Sequence, residues 1–262
     1  MKTAVSIVWF KRDLRLHDHA PLVAACASGL PVLPLYVVEP DYWRQPCASR
    51  RHWHFIHDSL VELQKDCASL GQPLVVRDGT ILNVFESIRR DYVIKGIYSH
   101  EETSNLWGYQ RDEGVRHWCL AHAIEFHEYP TNGIVRRLID RDGWAKIRNQ
   151  RMADPLMPKP NQLLPLAIEP GKILAKDAAL FGDDVPGRTQ SGGRRAAIQT
   201  LHSFLTTRGS QYLYRLSAPG PSEIHCSRLS AHLTWGTLSA REVFKSVQSR
   251  RAQLSVEDVH PW

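Results

Sequence analysis

The 262 residues are 43% hydrophobic and 23% charged, the balance of a globular chain that can bury a sizeable core, which excludes a wholly disordered or fibrous protein. The formal net charge is +6 and the pI about 9.1, so a polyanion partner is favoured by steering but not required. The longest apolar run, Leu30–Val38, is broken by Pro31 and Pro34, and the apolar start Val5–Phe10 runs into Lys11-Arg12-Asp13, so no membrane partner and no export signal are expected, and a cytoplasmic location is.

Ser6–Phe10 is a short apolar run, as expected of a strand buried on both faces. Asp18 is placed to cap the next helix, with Pro21 in its first turn and Leu22, Val23, Ala25 and Cys26 on its apolar side. Val32–Val38 predicts the second strand. Ser49 then opens a long helix whose stripe Trp53, Ile56, Leu60, Leu63 and Cys67 advances by threes and fours, and Gly71 marks its stop. Pro73–Val76 predicts the third strand, Ile81–Ile88 a helix, Gly96–Ser99 the fourth strand, Leu106–Ala123 a helix with Val115, Trp118 and Cys119 inward, and Ile124–Glu128 the fifth strand. This alternation predicts an α/β fold: a five-stranded parallel, doubly wound (Rossmann-like) sheet with right-handed crossovers. Such sheets bind ligands beyond the carboxyl ends of the strands, where the strand order reverses. No Gly-x-Gly-x-x-Gly follows the first strand and there is no Walker-type loop, so an ordinary dinucleotide site is not expected there.

Pro155, Pro158, Pro160, Pro165, Pro170 and Pro186, with Gly171, Gly182 and Gly187, leave little room for helix between 154 and 188. From Ser191 the pattern turns helical: Ile198, Leu201, Phe204 and Leu205 mark one stripe, Ser227–Leu233 a short helix, and Ser239-Ala240-Arg241-Glu242 a capping box. The expected division is an α/β domain over 1–132, a connector over 133–190 and an incomplete all-helical domain over 191–262. Arg136, Arg137, Arg141, Lys146, Arg148 and Arg151 form either a phosphate-tracking face or a solvated helix. The five cysteines include no C-x-x-C, so no metal site is expected, and Cys26, Cys67 and Cys119 read as small buried hydrophobes. His52, His54 and His57 read as helix-surface residues.

Val8-Trp9-Phe10-Lys11-Arg12-Asp13-Leu14-Arg15-Leu16-His17-Asp18 closely resembles the opening strand of the photolyase and cryptochrome family, with His19 where members often have Asn. His100-Glu101-Glu102 before Trp107-Gly108-Tyr109-x-Arg111-Asp112 resembles the segment after the family's fourth strand, where Glu101 or Glu102 would accept hydrogen bonds from an antenna chromophore of folate or deazaflavin type; the alternative is an acidic helix entry stabilised by the helix dipole. Tyr212, followed by Cys226-Ser227-Arg228-Leu229-Ser230, is similar to the family's Thr-Ser-x-Leu-Ser stretch. That resemblance makes Tyr212, Cys226, Ser227, Leu229 and Ser230 candidate FAD contacts, and the unpaired N–H groups of a helix start suit a diphosphate independently. Cys226 replaces the usual Thr, and its spacing from Tyr212 is longer. Arg215 stands where relatives place a DNA-contacting arginine, and Gly236-Thr237-Leu238-Ser239-x-Arg241 continues the likeness.

The resemblance implies light-driven, FAD-dependent repair of pyrimidine dimers in DNA; the alternatives are a cryptochrome-type blue-light receptor without repair and a non-catalytic remnant. Relatives continue past Val259-His260-Pro261-Trp262. The expectations are therefore a chain without its catalytic half, weak retention of FAD, and self-association through exposed helical faces.

Overall fold

The computed structural model describes residues 2–184, 187, 189–217 and 219–254. Pro186 of the connector and the terminal Val259–Trp262 lie outside them. Alternation within five strands divides the first half of the chain into two apolar layers. The strands are β1 (Ala4–Phe10), β2 (Val32–Val38), β3 (Val75–Asp78), β4 (Val93–His100) and β5 (Glu125–Tyr129). Every pairing is parallel and the order is β3-β2-β1-β4-β5. Along β1, Val8 and Phe10 face one layer while Val5, Ile7 and Trp9 face the other. The first layer is closed by α1 (Ala20–Ala27) and α3 (Arg50–Ser69), which follows the single turn α2 (Pro40–Trp43). The second is closed by α4 (Ile81–Asp91) and α5 (Leu106–Ala121). Helices on both faces are why β2 reads as an unbroken apolar run, and each fully buried aliphatic or aromatic side chain there stabilises the fold by roughly 1.5–3 kcal/mol.

The helix starts correct two expectations. Asp18 does not cap α1; the adjacent His19 does, its Nδ1 accepting from the Leu22 N–H at 3.1 Å. Asp18 instead adopts φ 49°, one residue short of the helix, and turns its carboxylate elsewhere. Ser49 precedes α3 in extended geometry, but its side chain makes no capping bond. Thr80 and Asn105 cap α4 and α5. Gly71, at φ +109°, ends the α3 turn as expected.

After α6 (Trp144–Ala153) the proline-rich segment runs as an extended strap over the sheet domain. The Leu163 N–H donates to Leu70 O at 2.7 Å, the Val76 N–H of the edge strand to Pro170 O at 2.7 Å, the Tyr92 hydroxyl to Ala167 O at 2.6 Å and Trp53 Nε1–H to Ala175 O at 3.0 Å. Phe181 then stacks on Trp53 at 4.1 Å and 12°. Prolines suit such a strap because it needs few N–H donors of its own.

The helical part holds α7 (Arg194–Thr206), α8 (Tyr212–Arg215), α9 (Pro221–His225), α10 (Ser230–Thr234) and α11 (Ala240–Gln253). Its core is small: Ala197, Leu201, Leu229 and Leu238, with Leu205 and Val243 against them. Ile198, read as inward, is 44% exposed. The capping box of α11 forms as predicted, and Arg194 of α7 clamps its Glu242 at 2.6 Å.

Candidate functional site

The strand order reverses between β1 and β4, so the crevice beyond their carboxyl ends is the expected ligand position of this sheet. Two charged runs leave those ends. Lys11 Nζ meets Asp112 at 2.6 Å. Arg111 reaches Glu39 at 2.9 Å, Glu102 at 3.0 Å and Asp112 at 3.0 Å while its guanidinium lies over Trp9 and Trp107. Burial opposes ionisation of Glu102, but Arg111, Lys11 and the Ser104 amide outweigh it and hold that carboxyl down to about 2. Its Oε1 also accepts the Thr103 and Ser104 N–H groups, both at 2.9 Å.

The two candidate antenna carboxylates therefore differ. Both oxygens of Glu102 are taken up by the protein. Glu101 keeps Oε2 buried without a hydrogen-bond partner, with Oε1 at 3.6 Å from Arg136. Both border a cleft of about 250 Å³ shared with Arg12, His100, Thr131 and Asn132.

Beneath this cleft Asp13 is fully enclosed. Its Oδ2 accepts from His19 Nε2–H at 2.9 Å and His100 Nδ1–H at 2.6 Å, and its Oδ1 from the Lys11 N–H at 2.7 Å. The α1 cap uses the lone pair of His19 Nδ1 and so fixes that tautomer. Burial first, then the neighbouring His19, pushes His100 down to about 3, so both rings are neutral donors near pH 7. Three potential metal ligands converge here. Their N···O separations are hydrogen bonds, shorter than the about 3.3 Å between tetrahedral ligands on a shared zinc.

The family-like runs of the two halves are mating surfaces. The Leu14 N–H donates to Trp235 O at 3.0 Å, Arg15 Nη1 to Gly236 O at 3.0 Å, and Arg12 lies over the Trp235 ring at 4.8 Å. Asp18 receives Arg241 at 2.6 and 3.0 Å and the Met157 N–H at 3.2 Å. Gly236, at φ +65°, presses so closely on the Arg12 carbonyl that a Cβ would overlap it.

The FAD candidates lie on the helical side. Tyr212 opens α8, half-buried, with its ring edge-on to Phe204 at 5.5 Å. Cys226 and Ser227 are half-buried, and both carbonyls accept from Arg208, which also holds Thr200 O at 2.8 Å. The Leu229 side chain belongs to the helical core, so only its backbone is available to a ligand. Ser230 is exposed as the first residue of α10, a helix without a side-chain cap. Arg51, Arg228, Ser230 and Trp235 border a second cleft of about 340 Å³. Tyr212 is not among its lining residues, so the structure brings Ser230 to an open cleft without bringing Tyr212 there. Hydroxyls, uncapped helix N–H groups and two guanidiniums fit a diphosphate. Arg215 is exposed, its Nε on Gln211 at 3.2 Å. Sequence reasoning missed the organising roles of Arg208 and Arg241, although both stood inside the quoted motifs.

Arg136 and Arg137 are engaged with Glu128, Glu113 and Tyr109 rather than free for phosphate. Among the described residues no helix is long and apolar enough to cross a membrane. The family described as DNA photolyase matches residues 6–138, about half the chain. A cryptochrome DASH from Gloeobacter violaceus is 25% identical over 285 aligned residues, covering 100% of this chain and 57% of that protein. Among solved structures, a bacterial class III photolyase from Agrobacterium tumefaciens superposes with TM-score 0.80 at 20% identity, over 99% of this chain and 56% of that one. An archaeal photolyase from Sulfolobus tokodaii, solved with two FAD molecules, gives TM-score 0.71 at 25% identity, over 93% and 54%. The chain spans about half the length of the relatives that it matches from end to end.

Proposed function

The chain belongs to the DNA photolyase family, and from that membership we propose that it serves light-driven, FAD-dependent repair of pyrimidine dimers in DNA, contributing the antenna domain and one wall of the flavin site. The observation that carries this reading is Ser230 standing exposed at the uncapped start of α10 beside an open cleft. Bound FAD would supply the photochemical electron that splits the dimer. The chain's own groups bind and orient. Ser227, Ser230 and the first-turn N–H groups of α10 receive the diphosphate, and Arg208 holds the Cys226–Ser227 loop in place. Glu101, with its unpartnered Oε2, accepts from the ring N–H of a folate- or deazaflavin-type antenna in the switch-point cleft. Arg215 approaches the DNA phosphates, and the basic net charge steers the encounter.

Flavin added to the purified chain, followed by desalting and absorbance at the flavin bands, tests the diphosphate role. Weak retention that disappears in the Ser227→Ala/Ser230→Ala double variant is expected; retention unchanged in that variant rules it out. A cryptochrome-type light receptor is the second reading, favoured by the end-to-end likeness to a cryptochrome DASH. Blue-light repair of a dimer-containing oligonucleotide by the flavin-loaded protein separates the two.

A further inference from the structure

The second cleft joins the two halves of the chain. Arg51 and His52 come from the first turn of α3, and Arg228, Ser230 and Trp235 from the helical part. Most arginines around it are engaged: Arg15, Arg194, Arg208 and Arg241 each hold a carbonyl or a carboxylate. Arg51 and Arg228 are exposed, and neither has a side-chain partner among the described residues. Arg228 is held in a left-handed conformation, φ 59°, with its carbonyl pinned by Gln190 Nε2–H at 2.6 Å. Between the two cations the floor is aromatic. Trp235 is fixed from behind by Arg12 at 4.8 Å, with the His52 ring 6.1 Å away and Phe55 alongside. His52 Nδ1 is buried without a hydrogen-bond partner. No carboxylate lines the cleft among the described residues.

We propose that this cleft is a nucleotide site, taking a nucleoside 5′-phosphate with its ring beside Trp235 and its phosphates between Arg51 and Arg228. Unpaired guanidiniums recognise phosphate oxygens in a planar, two-pronged geometry, and an aromatic floor without acidic groups suits a ring carrying negative charge. The volume of about 340 Å³ is near the small end of ligand pockets, enough for one nucleotide and not for a whole dinucleotide. The site deepens the flavin reading, and in part rests on it, because the ADP end of FAD is one source of this chemistry; a free nucleotide is the other. What is added is Arg51, a recognition residue from the first domain.

Calorimetric titration of the purified chain with ADP, FAD, riboflavin and inorganic pyrophosphate tests it, with Arg51→Gln and Arg228→Gln as variants. Both residues are exposed, so both variants are expected to melt like the parent. ADP should bind more tightly than pyrophosphate, riboflavin should give no heat, and each variant should weaken ADP about tenfold, the loss of one charge-assisted hydrogen bond. ADP binding that ignores Arg51→Gln overturns the site, as does pyrophosphate binding as tightly as ADP, or no ADP binding at all. FAD retained independently of Arg51 sinks this inference and leaves the flavin reading intact. Arg51-dependent ADP binding without FAD binding supports the inference and sinks the flavin reading.

Discussion

Asp18 shows how one residue can be misread locally and still be essential. Its position before an apolar helix reads as a cap, yet its carboxylate, 1% exposed, holds Arg241 more than two hundred positions away in the sequence. Sequence spacing carries no trace of that pairing, because it depends on how the two halves dock. Arg241→Leu should strand a buried charge and cost about 3–5 kcal/mol in urea unfolding; a loss below about 1 kcal/mol would mean that the ion pair is only a surface contact. Gly236→Ala should destabilise by more than about 1–3 kcal/mol, since its left-handed φ is disfavoured for a side chain and the Arg12 carbonyl has no room to retreat. The acid limb of stability belongs to this scale too. Glu102 is depressed to about 2, against about 4.3 in the unfolded chain. The unfolded state therefore takes up the proton first, and the stabilisation present above the unfolded value is lost as pH falls through the folded one. Chemical-denaturation midpoints should fall steeply between about pH 5 and pH 2, and Glu102→Gln should flatten that slope without removing the loss that starts higher, where a depressed His100 also binds protons only on unfolding.

At the scale of elements the sheet was legible and the site was not. Period-two alternation on both faces of β1, and the three-and-four stripe of α3, are local properties, so the five strands and the helices around them follow from sequence alone. The same locality explains the cysteines. Cys67 and Cys119 sit in helix stripes, are buried, and have thiols pushed up by desolvation, that of Cys119 to about 12. A thiol reagent under native conditions should modify the exposed Cys47 first and reach Cys67 and Cys119 only with denaturant; early modification of Cys119 would show that α5 opens locally. Ile198 marks the limit of the stripe argument. Its spacing fits the α7 core, but the helical part has too few partners to cover it. Arg51 and His52, at the start of an ordinary amphipathic helix, carried no signal at all, since their neighbours across the cleft are more than a hundred residues distant.

For the whole molecule, the two halves are joined by polar contacts from conserved-looking runs that turn out to face each other, while the far side of the helical part is apolar and open. Leu213, Tyr214 and Ile224 are 54%, 63% and 62% exposed. Sedimentation velocity should show association that grows with concentration, and Leu213→Glu with Ile224→Glu should return the chain to monomer; a concentration-independent monomer would mean that those side chains are tolerated in water. The strap has a consequence for synthesis. The Val76 amide on the sheet's open margin waits for Pro170, almost a hundred residues later, so a ribosome that has released only the five strands presents an unsealed sheet border. A nascent chain stalled before residue 163 should recruit holdase chaperones that one stalled after residue 181 no longer needs.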